Sequence, residues 1–369
     1  MKLSIARGAL LDSLGVVTKA LSARTTLPIL SGILMSATKD GITLQSTDLE
    51  ISIKDIISAD VEDEGSVVVP GRLLADVVRK MPDAAIRIET VSSDKIQVSC
   101  RSEKAGAISF SLRTLSPDDF PRFPEVAADK TFDLPTPLLS SMVKQVSRAV
   151  SRDEARPILT GILVVMDGTE IRMVATDSYR LAIRNTQTET PVDERIEVVI
   201  PGKALEEIPK IAGAAPVVKM GVSENQIVFS FGGTTYVTRR IEGTFPNYRQ
   251  LVPAEGETNI IIDRAELLEA VQRVSLMAQH NAPLRMKIAD NTLTLSATTQ
   301  DVGEASEDLM VEMDGQPLEI AFNHAFLIDG VNSSDDDKLS FMASSPLKPG
   351  VFKSTGTDAF VYLIMPVRP

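Results

Sequence analysis

Apolar and polar positions alternate in two adjoining runs near the middle of the chain. Ile162, Val164 and Met166 recur at every second position, as do Ile171, Met173 and Ala175. A period of two marks a strand with one face buried. Asp167-Gly168 separates the runs and predicts a tight turn, because such turns need positive φ and glycine takes it freely. The second run ends on Thr176-Asp177-Ser178-Tyr179-Arg180-Leu181, which mixes an aromatic, a cation and an aliphatic side chain just past a strand. Elsewhere the apolar residues follow a helical period. Leu10, Leu11, Leu14 and Val17 share one face of a helix expected over residues 7–21. Leu138, Leu139, Met142, Val143 and Val146 do so over residues 137–150, with Thr136 as cap and Pro137 in the first helical position. A third helix is expected over residues 263–277, where Asp263 and Glu266 have capping-box spacing. Shorter helices are expected over residues 71–81, 202–211 and 322–331, with strands between.

These elements repeat. Thr26-Leu27-Pro28-Ile29-Leu30-Ser31-Gly32 returns as Arg156-Pro157-Ile158-Leu159-Thr160-Gly161, and Thr47-Asp48 returns 129 positions later as Thr176-Asp177. Val69-Pro70-Gly71-Arg72 recurs as Ile200-Pro201-Gly202-Lys203, and Phe120-Pro121 as Phe245-Pro246. A weaker third copy runs from Pro283-Leu284-Arg285-Met286 to Leu293-Thr294-Leu295-Ser296-Ala297-Thr298. A period of about 128 residues is too long for a solenoid unit and has the size of a domain. The chain therefore reads as three copies of one α+β domain, over residues 1–120, 129–249 and 250–369. Proline-containing stretches over residues 117–131 and 246–258 read as linkers.

Composition fits soluble domains. Of 369 residues, 43% are hydrophobic and 24% charged, enough for a core in each copy. No apolar run reaches membrane-spanning length, and MKLSIARGAL has no signal-peptide pattern. The single cysteine, Cys100, lies in the alternation Ile96, Val98, Cys100 and reads as a strand residue; a lone cysteine fits a reducing cytoplasm. Asp335-Asp336-Asp337 reads as a solvated loop tip, since no partner ligands have metal-site spacing.

The net charge is −12, which repels nucleic acid from the molecule as a whole. Against it stand Lys144, Arg148, Arg152 and Arg156, four residues apart and so expected on one helical face. Arg24 and Arg156 both precede the repeated Pro-Ile-Leu, and Arg72 and Lys203 both open second helices. Cations at repeated places on an acidic chain suit one surface facing a polyanion. With 4% aromatic residues and no Trp, the chain lacks base-stacking platforms, so contact would be with phosphates and independent of sequence.

The three tandem copies, Thr26-Leu27-Pro28-Ile29-Leu30, Ala175-Thr176-Asp177-Ser178-Tyr179-Arg180-Leu181-Ala182, Phe245-Pro246-Asn247-Tyr248-Arg249 and the ending Met365-Pro366-Val367-Arg368 resemble the bacterial DNA polymerase III beta subunit family, the sliding clamps. The resemblance covers essentially the whole chain. It implies a head-to-tail homodimer closing into a ring of six like domains, with helices lining a hole for duplex DNA and sheets outside. It also implies a non-catalytic processivity factor. Its partners would be the replicative polymerase alpha subunit, an ATP-driven clamp loader, and other polymerases and repair proteins docking through short linear motifs. No cofactor, metal or membrane is implied.

The expected phosphate-facing residues are Arg24, Arg72, Lys144, Arg148, Arg152, Arg156 and Lys203. The dimer seam is expected at Phe110, near Arg101 and Lys104, against Leu276 and the acids Glu304, Glu307 and Asp308. A peptide pocket is expected from Leu159, Thr176, Ser178, Tyr179, Arg180, Leu181, Pro246, Leu251, Leu363, Met365, Pro366, Val367 and Arg368, once per chain because copy one carries Leu49-Glu50-Ile51 at the matching tip. Two departures bear on these sites. Pro157-Ile158 stands where family members can carry two tyrosines, and Ser178-Tyr179 where Gly-His is common.

Two other classes are weighed against this reading. A nucleic-acid enzyme needs clustered carboxylates for metal ions or a nucleophile with a base, and the two histidines, His280 and His324, have no ligand-spaced partners. A purely structural repeat protein would explain the repeats and acidity but not the segregated cations.

Overall fold

Buried leucine and valine faces place the helices where the periodicity put them. In α1 (Arg7–Val17), Leu10, Leu14 and Val17 are fully buried. A 3-10 turn, Thr18–Ala20, takes up most of the remaining expected length. α2 (Gly71–Lys80) buries Leu74, Val77 and Val78. α3 (Thr136–Ser147) buries Leu139, Met142, Val143 and Val146. α4 spans Gly202–Ala212. α5 (Arg264–Ser275) begins on Asp263, whose carboxylate accepts from the Glu266 backbone N–H at 2.9 Å, as its spacing predicts. α6 (His324–Ser333) starts later than expected. Phe322 ends the strand Leu318–Phe322, and Asn323 caps the helix by accepting from the Ala325 N–H. The Thr136 hydroxyl donates to the Ala215 carbonyl at 2.6 Å, tying the start of α3 to the chain just past α4.

The computed structural model describes residues 1–22, 27–103, 106–128, 130–279 and 282–367. They form two compact units, one of residues 1–136 and 207–240, the other of residues 137–206 and 241–369, so the central copy contributes to both. The first unit holds a five-stranded sheet, from Asp60–Asp63 at one edge to Gly106–Arg113 at the other, and an eight-stranded sheet. In the eight-stranded sheet the strand Ile51–Ile57 of copy one pairs antiparallel with Thr234–Arg239 of copy two. The second unit repeats this arrangement. Arg180–Pro201 pairs with Phe360–Ile364 of copy three in a seven-stranded sheet, beside a four-stranded sheet that ends on Gly303–Met310. Helices and antiparallel strands are segregated in sequence rather than alternating, which makes the fold α+β.

The sequence repeats are structural repeats. Pro28–Ser31 and Pro157–Thr160 both form 3-10 turns. Ser22 N–H donates to the Leu30 carbonyl, and Ser151 N–H to that of Leu159. A Cβ on Gly32 or Gly161 would come within 2.4 Å of a side-chain carbon of Val68 or Val199, so the glycine ending each motif leaves room for the facing valine. The runs flanking Asp167-Gly168 lie in one extended segment, Gly161–Thr176; the ladder shifts register on both sides of Gly168, whose φ is +56°. Cys100 is buried in the strand Lys95–Ser102. Among the described residues no helix is long and apolar enough to cross a membrane.

Candidate functional site

The end of the second run is a tight turn fixed by its own side chains. The Thr176 hydroxyl donates to the Arg180 carbonyl at 2.7 Å and accepts from the Ser178 N–H at 3.2 Å. Asp177 Oδ1 accepts from the Tyr179 and Arg180 N–H groups. Ser178 sits at φ +79°, held in the left-handed region by this net. The turn aims Tyr179 outward, 60% exposed, and folds Arg180 inward, its side chain only 12% exposed.

Arg180 then meets groups far away in sequence. Its guanidinium donates to Asp177 at 3.0 Å, to Asp329 of α6 at 2.5 Å and to the Tyr362 hydroxyl at 3.3 Å. The Phe326 ring lies beneath it at 4.4 Å, and Tyr179 stacks on the same ring. Burial works to discharge Arg180, but Tyr362, Asp329 and Asp177 together hold its pKa above the ordinary arginine value. Burial likewise pushes the Tyr362 hydroxyl above its usual range. Phe326, Asp329 and Tyr362 were not singled out in the sequence. Phe326 and Asp329 lie three apart on a helix with ordinary patterning, and only the fold shows what they face.

Of the expected pocket residues, the sheet brings two chain segments together directly. Leu181 pairs with Leu363 and Arg180 with Ile364, and Met365 N–H donates to the Tyr179 carbonyl at 2.8 Å. Leu181 and Leu363 are sealed into a cluster with Leu163, Val174, Tyr248 and Val361, with Phe245 and Val252 packed on it. They form a floor rather than open surface. Leu159 and Thr176 are buried too. Of the other expected pocket residues, Tyr179, Pro246, Leu251 and Met365 are exposed, and Pro366 and Val367 half-buried. Arg368 lies outside the described residues.

The cations are arranged differently from expectation. α3 ends at Ser147, so Arg148, Arg152 and Arg156 do not continue one helical face. The chain closes with i+3 bonds, Ala149 to Val146 and Val150 to Ser147, and the Ser151–Leu159 bond then draws it away. Several charges are also partnered. Lys144 pairs with Asp335 at 2.7 Å, Arg148 with Asp329 at 3.0 Å and Arg156 with Asp153 at 3.0 Å. Asp335-Asp336-Asp337 lies in the loop after α6, with Asp335 and Asp337 exposed as expected, but it is also tied into the fold. Asp336 accepts from Ser354 at 2.6 Å, and the Asp337 carbonyl from the Arg264 N–H. Among the described residues Arg72, Arg152 and Lys203 have no carboxylate partner within 4 Å, and Arg24 lies outside them. Arg148, Arg152, Arg180 and Lys203 line one cavity of about 530 Å³, together with Glu154, Glu206 and Asp329.

Four of the expected seam residues sit on sheet edges. Phe110 is exposed on Gly106–Arg113, the edge of the five-stranded sheet. Glu304, Glu307 and Asp308 lie on Gly303–Met310, the edge of the four-stranded sheet, and Leu276 just past α5 is 68% exposed. Glu307 accepts two bonds from Arg273, which hold its carboxyl below the ordinary range. Lys104 and His280 lie outside the described residues, and His324 opens α6. No group of three or more His, Cys, Asp or Glu among the described residues is placed to hold a metal ion.

Three family models match in chain order: the N-terminal domain of the DNA polymerase III beta subunit over residues 1–124, its central domain over 133–247 and its C-terminal domain over 249–368. The beta sliding clamp of Staphylococcus aureus strain N315 is 33% identical over 380 residues, covering 100% of this chain and 99% of the relative. Among solved structures, the Bacillus subtilis DNA polymerase sliding clamp superposes with a TM-score of 0.94 at 30% identity, covering 100% of this chain and 99% of that one. A Pseudomonas aeruginosa sliding clamp bound to griselimycin superposes at 0.93 and 28% identity, covering 100% of both chains. The likeness thus runs through every copy and both units, and the chain belongs to the DNA polymerase III beta subunit family, the beta sliding clamps.

Proposed function

We propose that the protein is a non-catalytic processivity factor of the cytoplasm. Two chains close head to tail into a ring of six like domains around duplex DNA and tether the replicative polymerase to it. The observation that carries this reading is the match to sliding clamps over the full chain. The domains are those read from the repeats, residues 1–120, 129–249 and 250–369. An ATP-driven loader opens the ring.

The pocket is the surface around Tyr179, Met365, Pro366, Pro246 and Leu251 over the Leu181–Leu363 floor. It takes short peptides from the polymerase alpha subunit, the loader and repair proteins. Exposed thioether and aromatic surface beside a turn with fixed backbone groups suits peptides of varied sequence. Phosphates are met without base readout, chiefly by the unpartnered cations Arg72, Arg152 and Lys203, and slide because no contact is tight.

The seam joins the edge strand bearing Phe110 to the edge strand bearing Glu304, Glu307 and Asp308 of the second chain, with Leu276 in its apolar centre. Two exposed edges with unpaired backbone groups are natural partners. The test is retention on DNA after loading: the protein should stay on nicked circular DNA and slide off the same DNA once linearised. Equal loss from both overturns the ring. Phe110→Ala with Leu276→Ala should give monomers in light scattering; a dimer at low concentration places the seam elsewhere.

A further inference from the structure

Asp329 touches both candidate surfaces. Its Oδ1 accepts from Arg148, at the end of the α3 segment, at 3.0 Å, and its Oδ2 from Arg180, at the pocket turn, at 2.5 Å. We infer that Asp329 is a positioning residue that couples phosphate contact to the shape of the peptide pocket; the inference rests on the DNA and peptide reading above.

The two bonds differ in strength, and the difference sets the direction of the coupling. Arg148 and Asp329 are 43% and 26% exposed, a setting in which an ion pair contributes little and a phosphate oxygen can replace the carboxylate. Arg180 is sheltered and has Asp177, Tyr362 and Phe326 as further partners. Drawing Arg148 to a phosphate therefore opens the Arg148–Asp329 bond and leaves Arg180–Asp329 in place. The freed Oδ1 turns to the Arg180 fork, and a two-pronged pair holds the turn more firmly. The two states are Asp329 shared between two arginines, and Asp329 wholly on Arg180.

The first unit carries one arm of this wiring and lacks the other. There Lys19, which occupies the repeat position of Arg148, pairs with Glu207 of α4 at 3.1 Å. The repeat position of Arg180 is Ile51, so that acid has no arginine of the turn to hold, and it binds Lys210 at 3.2 Å instead.

The probes are griselimycin, the ligand of the Pseudomonas aeruginosa relative, and a short duplex oligonucleotide at low salt. Griselimycin affinity of the full-length protein is measured with and without duplex, alongside hydrogen exchange of the segment containing Tyr179 and Arg180. Duplex should tighten griselimycin about fivefold and slow exchange in that segment, and griselimycin should tighten duplex by the same factor. Asp329→Asn and Arg148→Gln should each bind griselimycin but lose the dependence on duplex. Lys144→Gln, whose partner is Asp335, should keep it. A merely structural Asp329 would change both affinities and leave their ratio intact. Griselimycin affinity unaffected by bound duplex, or coupling retained in Asp329→Asn, overturns the inference alone. Failure of either probe to bind overturns the surface it reports on, and the coupling with it.

Discussion

At the turn of copy one, the Thr47 hydroxyl donates to the Ile51 carbonyl and accepts from the Leu49 N–H, while Asp48 Oδ1 accepts from the Glu50 and Ile51 N–H groups. At the turn of copy two the same four bonds are made by Thr176 and Asp177 to Arg180, Ser178, Tyr179 and Arg180. Leu49 and Ser178 have φ of +78° and +79°. Each following strand pairs with a strand of the next copy, and each lies over a buried tyrosine, Tyr236 paired with Ile53 and Tyr362 with Ala182. One backbone has therefore been used twice. What differs is three side chains, Leu49-Glu50-Ile51 against Ser178-Tyr179-Arg180, and what α6 offers them. A shared Thr-Asp net fixes the turn, whereas Arg180, Asp329 and Phe326 make a site of it.

The largest expected effect comes from exchanging the turns. Ser178→Leu, Tyr179→Glu and Arg180→Ile together should weaken griselimycin binding about 100-fold, because the aromatic rim and the Arg180 anchor go together. The reciprocal change, Leu49→Ser, Glu50→Tyr and Ile51→Arg, should create no second site. Titration calorimetry giving two sites per chain in the reciprocal variant would break the comparison. Next is stability. Arg180→Ala leaves Asp177 and Asp329 without their shared cation and should cost about 3 kcal/mol, whereas Ile51→Ala, half-buried, should cost about 1 kcal/mol. Urea unfolding followed by tyrosine fluorescence compares them, and equal losses would mean that the Arg180 network adds nothing to stability.

Smaller effects distinguish spare charge from committed charge. Arg152→Ala with Lys203→Ala should lower the salt slope of duplex binding by about two, one per phosphate contact. Lys144→Ala with Arg148→Ala should lower it by less, since Asp335 and Asp329 already hold those cations. An equal drop would show that carboxylate pairing does not restrain them. The smallest effect concerns Glu207. Burial acts to raise its pKa, but bonds from Lys19 and Lys210 outweigh burial and hold it below its ordinary 4.5. The stabilisation is present above pH 4.5 and lost as pH falls through the lowered value. Lys19→Gln should therefore cost under about 1 kcal/mol at neutral pH and progressively less in acid. A cost independent of pH between neutral and pH 3 would remove the pair from the account.

Much of this molecule was legible locally. The alternation at Ile162–Met166 and Ile171–Ala175, the buried face of α1, the Asp263 cap and the repeated Pro-Ile-Leu turns depend on neighbours within one or two turns of chain, so period and cap chemistry specified them. The same locality made the two turns recognisable as copies, because Thr and Asp bond to backbone groups a few positions away. Other features depended on the fold as a whole. The helical stripe fails because α3 ends at Ser147, before Arg148, and the Lys144–Asp335 pair escapes the sequence because its partners are 191 positions apart. Arg180 meets Asp329 across 149 positions and Tyr362 across 182. No period encodes such contacts. They follow from which strands pair between copies, and strand pairing is settled by burying whole apolar faces such as the one that encloses Leu181 and Leu363. The sequence alone determined the repeat, the elements, the form of each turn and the Ile51-against-Arg180 difference; tertiary structure decided that Arg180 meets Asp329, because long-range burial sets which surfaces meet.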